Sequence, residues 1–128
     1  MSVYDENFYR AQKDGSFRSA QIIVPMVREF IKPKVVMDVG CGLGTWLAVW
    51  KSTGAEVIGV DGDYVNRDML YIDEKDFLAS DLTKDYVEVG NKVDLVESLE
   101  VAEHLPESRA ISFIQNLTEI SDVVLFSA

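Results

Sequence analysis

The segment that most restricts the fold is Val35-Val36-Met37-Asp38-Val39-Gly40-Cys41-Gly42-Leu43-Gly44-Thr45-Trp46. Its first five residues are β-branched or apolar around one aspartate, the pattern of a short buried strand. Three glycines at alternate positions follow, where the chain can take positive φ and a ligand can approach the backbone closely. Thr45–Ser52 then carries Trp46, Leu47, Val49 and Trp50 at helical spacing, and Gly54 closes it. A strand, a glycine turn and a helix in this order belong to a parallel sheet with helical crossovers.

The rest of the chain repeats the alternation. Glu56–Val60 reads as a second strand, closed by Asp61-Gly62-Asp63. Phe77–Ala79 reads as a third, followed by Asp81-Leu82, and Val93–Ser98 as a fourth. Pro106–Ile120 has the period of an amphipathic helix, with Ile111, Ile114, Leu117 and Ile120 expected inward, and Val123–Ser127 is the fifth strand. Upstream, Ser16 is the expected N-cap of a helix reaching Ile31, with Ile22, Ile23, Met26, Val27 and Phe30 at helical spacing. Pro25 lies within it and predicts a kink or a late start, because it cannot donate to Gln21. Tyr4, Phe8 and Tyr9 suggest an arm that packs on the core; Tyr9, Gln12 or Ser19 is placed either to close a pocket or on a helix that only covers the sheet. The expectation is one domain, with an arm and helix over 1–34 and a core over 35–128. Its fold class is α/β, a parallel sheet of about five strands wound by right-handed crossovers.

Composition narrows the ligand. Twelve Lys and Arg against 22 Asp and Glu give a net charge of −10, which disfavours a general nucleic-acid binder. The single cysteine, Cys41, can form neither an internal disulfide nor a Cys-rich zinc site. No apolar run approaches the length of a membrane span, and the first residues lack the apolar stretch of a signal peptide. A cytoplasmic protein without membrane or nucleic-acid partners is expected.

Spacing within the glycine turn separates two ligand classes. A dinucleotide fingerprint, G-x-G-x-x-G, would need glycine at position 45, where this chain has Thr45. Asp38 at the mouth of the turn would repel a pyrophosphate and suits a cationic ligand bearing an amino-acid group. Asp61, at the end of the second strand, is placed to accept the two hydroxyls of a ribose. Asp81 and Leu82 offer a carboxylate for an exocyclic amine and an apolar contact for a base, although Asp81 equally suits the capping of its own turn.

At these residues the chain resembles the class I S-adenosylmethionine-dependent methyltransferases, whose Rossmann-like fold implies three layers around a parallel sheet in the order 3-2-1-4-5. The matching segments are VVMDVGCGLGTW, VIGVDGD, SDL at 80–82 and VDLVESLEVAEHLP, collinear over residues 35–127. The resemblance implies S-adenosylmethionine as cofactor, with S-adenosylhomocysteine as product. It implies that Asp38, Gly40, Cys41, Gly42 and Gly44 surround the methionine portion and that Asp61 and Gly62 hold the ribose. Asp81 and Leu82 would hold the adenine, and the backbone at Glu97 and Ser98 would line the cofactor. Members of that class add two strands in a terminal hairpin, so the chain is expected to be the N-terminal part of a larger enzyme. The fifth strand would then be an open apolar edge able to pair with a second copy.

After the fourth strand, His104 is the natural base candidate, with a structural role as the alternative. Glu100, Glu103 and His104 form an E-x-x-E-H cluster similar to the metal-binding cluster of small-RNA 2′-O-methyltransferases and some quinone-precursor O-methyltransferases. Those RNA enzymes use a further histidine, and this chain has none; no metal site is expected. The function expected is methyl transfer to a small-molecule or sugar-type acceptor. The alternatives are a non-catalytic cofactor-binding module, an RNA 2′-O-methyltransferase-like enzyme with a Glu/Glu/His metal site, and, disfavoured by Asp38 and Thr45, a nicotinamide-dependent dehydrogenase.

Overall fold

The structure, a computed structural model, describes the backbone of residues 6–128 and the side chains of 15–128. The expected roles of Tyr4, Phe8, Tyr9 and Gln12 fall on side chains outside that range. Five parallel strands form one sheet in the order β3-β2-β1-β4-β5. They are β1 (Val35–Val39), β2 (Glu56–Asp61), β3 (Phe77–Ala79), β4 (Leu95–Leu99) and β5 (Val124–Ser127). Three α-helices accompany them: α1 (Glu6–Arg28), α2 (Thr45–Ser52) and α3 (Ala110–Ile120).

Side-chain alternation along β1 and β4 sorts the core into two layers. Val36 and Leu95 pack with Ala20 and Val24 of α1 and Leu47 and Trp50 of α2. Met37, Val39 and Val96 pack on the other face with Phe113, Leu117 and Ile120 of α3. Both central strands are buried on both sides, as a parallel sheet covered by helices requires. No helix among the described residues is long and apolar enough to cross a membrane.

The first helix departs from expectation at both ends. It begins at Glu6, ten residues before Ser16, and ends at Arg28 rather than Ile31. Gly15 lies inside it; a helix-interior glycine costs only about 1 kcal/mol, a term that contacts such as the edge-on packing of Phe17 against Tyr71 can offset. The helix also runs through Pro25. Pro25 and Gln21 are both exposed, so water can solvate the carbonyl that the proline leaves without a partner. Of the apolar residues at helical spacing, Ile22 and Met26 face solvent, Ile23 and Val27 are partly buried, and the fully buried positions are Ala20 and Val24.

In the third helix, Leu117 and Ile120 face inward as expected and two others do not. Ile111 and Ile114 are exposed, and Phe113, Leu117 and Ile120 form the buried face with Asn116. Residues 107–109 form a 3₁₀ turn leading into α3, so the α-helix starts four residues after Pro106. Asn116 holds the loop beneath β3 by pairing with both backbone groups of Val87, at 2.7 and 2.8 Å. Arg109, buried, donates to the carbonyls of Leu82 and Asp85 at 3.2 and 2.7 Å. Together these two side chains fix the segment 82–87 against α3. At the far side of the sheet, β5 is an edge strand with Val124 and Phe126 partly exposed.

Candidate functional site

The carboxyl ends of β1, β2 and β3 open on a cleft of about 2180 Å³, larger than the roughly 300–1,000 Å³ of a usual small-ligand pocket. Its walls include Asp38, Gly40, Cys41 and Gly42 from the glycine turn, Asp61 to Asn66 after β2, and Ala79 to Thr83 after β3. Leu99, Glu100, Val101 and His104 close it beyond β4, and Gly15, Ser16, Ser19 and Ile23 of α1 lie over it. Ser19 is thus at the cleft, as expected of a pocket-closing residue.

The glycine turn follows from local sterics. Gly40 has φ +92°, and a Cβ there would come within 2.2 Å of Val101 Cγ2, so position 40 excludes any side chain. Gly42 has φ +55° with open space where a Cβ would stand, which leaves the backbone bare toward the cleft. Gly44 is outside the wall: it is the left-handed residue that starts α2.

Most of the backbone donors of this turn are occupied. The amides of Gly40 and Cys41 reach the Val60 carbonyl at 2.7 and 3.1 Å, and that of Gly44 reaches Cys41 at 2.9 Å. The Gly42 amide donates to Asp61 Oδ2 at 2.8 Å. A pyrophosphate site needs a nest of free donors and a positive field. Here four of the donors already have partners, and the wall carries six carboxylates (Asp38, Asp61, Asp63, Asp81, Asp85, Glu100) with no Lys or Arg among the described lining residues. The cleft selects against phosphates and for a cation.

Asp61 ends β2 with its Oδ1 accepting from the Gly62 amide at 2.8 Å and from the Tyr64 hydroxyl. Tyr64 otherwise faces solvent, so a hydroxyl-bearing ligand can take the place of its O–H on that oxygen. Partial burial of the phenol, the hydrogen bond to Asp61 and the Asp61 charge all raise the Tyr64 pKa. Burial also raises the Cys41 thiol, helped by the charges of Asp38 and Asp61, which keeps it protonated and unreactive.

Asp81 stands at the rim, where its Oδ1 accepts from the hydroxyl and the amide of Thr83; these bonds hold its carboxyl below the usual range. It therefore caps its own turn while lining the cleft. Leu82 lines the cleft from a largely buried position. Beyond β4 the wall is Leu99; Glu97 and Ser98 lie wholly inside the protein and outside the wall. Glu97 instead pairs in register with Asp38 and accepts from Trp50 Nε1 at 3.2 Å. Burial and then the neighbouring acidic charges lift Asp38 well above the ordinary carboxylate range, and burial lifts Glu97 to about 7.

His104 is exposed at the rim, with Nε2 3.5 Å from Glu103 Oε1. Glu100 adopts φ +58°. Among the described residues no three His, Cys, Asp or Glu side chains converge as a metal site. Sequence reasoning missed Trp50 as the partner of Glu97, Arg109 and Asn116 as clamps, and Tyr64 as the residue on Asp61. Only the aspartates, glycines and histidine carried a recognisable spacing.

The methyltransferase domain family matches residues 10–127. A ubiquinone biosynthesis O-methyltransferase of Actinobacillus pleuropneumoniae serotype 7 (strain AP76) is 28% identical over 135 residues, covering 88% of this chain and 56% of that protein. The chain thus spans about half the length of that curated relative. Among solved structures, magnesium protoporphyrin IX methyltransferase from Synechocystis PCC 6803 with bound SAM has a TM-score of 0.64 at 25% identity, covering 84% of this chain and 55% of that one. The methyltransferase domain of bacterial CtHen1 has a TM-score of 0.68 at 25% identity, covering 84% and 63%. The family match over nearly the whole chain, on a sheet of the same order with an acid-lined cleft at its carboxyl ends, identifies the protein: it belongs to the methyltransferase domain family, the S-adenosylmethionine-dependent methyltransferases that its motifs resemble.

Proposed function

We propose that this chain forms the cofactor-binding part of an O-methyltransferase acting on a small-molecule acceptor. The observation that carries the reading is the cleft's chemistry: six lining carboxylates, no lining Lys or Arg, and a glycine turn whose amides are largely occupied. S-adenosylmethionine fits such a wall, since it brings an ammonium, a sulfonium and a ribose diol. Asp38 and the bare backbone of Gly40–Gly42 would receive the methionine portion, Asp61 the ribose hydroxyls, and Asp81 and Leu82 the adenine. When bound, the cofactor supplies an electrophilic methyl, whose S–C bond breaks as the acceptor's O–C bond forms, the electron pair returning to sulfur.

The protein's own contribution is orientation, exclusion of water and removal of the acceptor's proton. Ser16, Ser19 and Ile23 of α1 cover the cleft. His104, the sole histidine, stands at its rim to take the proton, with Glu103 beside it to pair with the imidazolium once formed. Oxygen as the methylated atom is supported by the curated relative's name, and a small acceptor by the acidic field, which disfavours a polyphosphate chain. Isothermal titration with S-adenosylhomocysteine and with NAD tests the reading. Binding of the first and not the second is expected; heat with NAD alone would overturn it.

A further inference from the structure

We propose that Asp38 and Glu97 share a proton beneath the glycine turn, and that Glu97 is a positioning residue that makes cofactor binding release this proton. The inference rests on the function proposed above. Asp38 and Glu97 are partners in register on adjacent strands, so their side chains stand on the same face of the sheet. Asp38 is 4% exposed and Glu97 fully buried. Two carboxyls buried side by side on one face call for a proton between them, because a carboxylate can only accept and its charge is costly to bury. Glu97 Oε1 has no hydrogen-bond partner among the described residues, and a proton shared with Asp38 would satisfy it.

Among the described residues, nothing else near the pair neutralises it. From α2 comes the neutral Trp50 N–H; from β2, in register with Asp38, comes Gly59 without a side chain; from β5, in register with Glu97, comes Leu125. From the turn comes the Cys41 thiol and from the end of β2 the carboxylate of Asp61, bonded to Tyr64. The α1 residues over the cleft are Gly15, Ser16, Ser19 and Ile23. No Lys or Arg is among them. Two carboxyls buried side by side, with a third nearby, cannot both ionise at neutral pH, so a proton is the pair's cation in the free protein.

Asp38 reaches the cleft and Glu97 does not. An ammonium docking on Asp38 supplies the positive charge that the proton supplied. The pair then ionises fully and one proton passes to solvent, while the Trp50 N–H holds the Glu97 anion in place. Charge balances: one cation enters and one leaves. Affinity therefore rises with pH until the free pair has shed its proton.

Calorimetric titration of the whole chain with S-adenosylhomocysteine, in buffers of differing ionisation enthalpy, reads the proton directly. Near pH 6.5 the expected release approaches one proton per ligand, and affinity weakens by up to about tenfold from pH 7 to pH 6. Glu97→Gln keeps the shape and the acceptor for Trp50 but cannot share an acidic proton; release is expected to fall below about a third of wild type, with affinity nearly level over that range. Trp50→Phe removes the donor to the Glu97 anion and is expected to move the affinity step to higher pH, a direction that weaker packing alone does not produce. Binding with no proton release in the wild type, or full release in Glu97→Gln, overturns the proposal. A wild-type chain that does not bind S-adenosylhomocysteine refutes the underlying function as well, and the two failures are told apart by the presence of binding heat.

Discussion

The same buried pair makes a prediction about stability that needs no ligand. Burial lifts the Glu97 carboxyl from 4.5 to about 7. A carboxyl raised on folding binds its proton more tightly in the native state than in the unfolded one. Its contribution is fully present below the unfolded value and is lost as pH rises through about 7. The rise from 4.5 to about 7, at about 1.36 kcal/mol for each tenfold change in proton affinity, is on the order of 3 kcal/mol, most of it lost between pH 5 and pH 8. Against a total of about 5–15 kcal/mol for a domain, that is a large fraction.

Glu97→Gln removes this titration while keeping the volume and the acceptor for Trp50 Nε1. Urea unfolding of both proteins at pH 5, 6, 7 and 8 isolates the effect, since carboxylates remote from the pair cancel in the difference. The variant is expected to gain about 2–3 kcal/mol relative to wild type between pH 5 and pH 8. Asp38 acts in the same direction. Without the Glu97 charge its carboxyl is raised less, so the variant loses less stability than wild type as Asp38 ionises. Two stability curves that stay parallel within about 0.5 kcal/mol across the range would refute the reasoning.

Four further outcomes follow from particular contacts. Gly40→Ala forces an alanine to φ +92° with its Cβ against Val101, for an expected loss of about 2–4 kcal/mol in urea unfolding; adding Val101→Ala should recover the steric part and leave the conformational part. Asp61→Ala takes the charged acceptor from the Gly42 and Gly62 amides and from the ribose hydroxyls, and should weaken S-adenosylhomocysteine by roughly 10- to 100-fold in calorimetry. Arg109→Met deletes the donor to the Leu82 and Asp85 carbonyls, and faster amide hydrogen exchange over residues 82–87 is expected, with stability lower by about 2–3 kcal/mol. His104→Ala should lower methyl transfer to a phenolic acceptor by about 100-fold in a radiolabel assay with S-adenosylhomocysteine affinity unchanged; equal rates would leave His104 without a role in proton removal.

The sheet was legible because its signals are local. Val35–Val39 and Thr45–Ser52 lie where apolar runs and glycines placed them, the alternation of strands with helices implied a parallel sheet, and the family resemblance supplied the order observed. Helix faces were not legible. Along α1 and α3 two apolar stripes compete, Ile22 and Met26 against Ala20 and Val24, Ile111 and Ile114 against Phe113 and Leu117. Periodicity reports that a stripe exists, whereas the choice between stripes is made by the sheet the helix meets. Ser16 misled for a related reason: a good capping residue marks a helix start only where the preceding chain cannot continue the helix, and here it does.

The site divides in the same way. Asp38, Asp61 and the glycines sit at the carboxyl ends of β1 and β2, where spacing along the chain converts directly into position. Glu97 shows the limit of that conversion. The backbone near Glu97 and Ser98 was expected along the cofactor, but Glu97 lies midway along β4, one level below the cleft mouth, fully buried under Trp50 and in register with Asp38. Register across the sheet, invisible in one strand's sequence, therefore moves Glu97 from the wall of the cleft to its support. A fully buried acid in that position has no access to a ligand, and its proposed action is through the charge of Asp38, which does line the cleft.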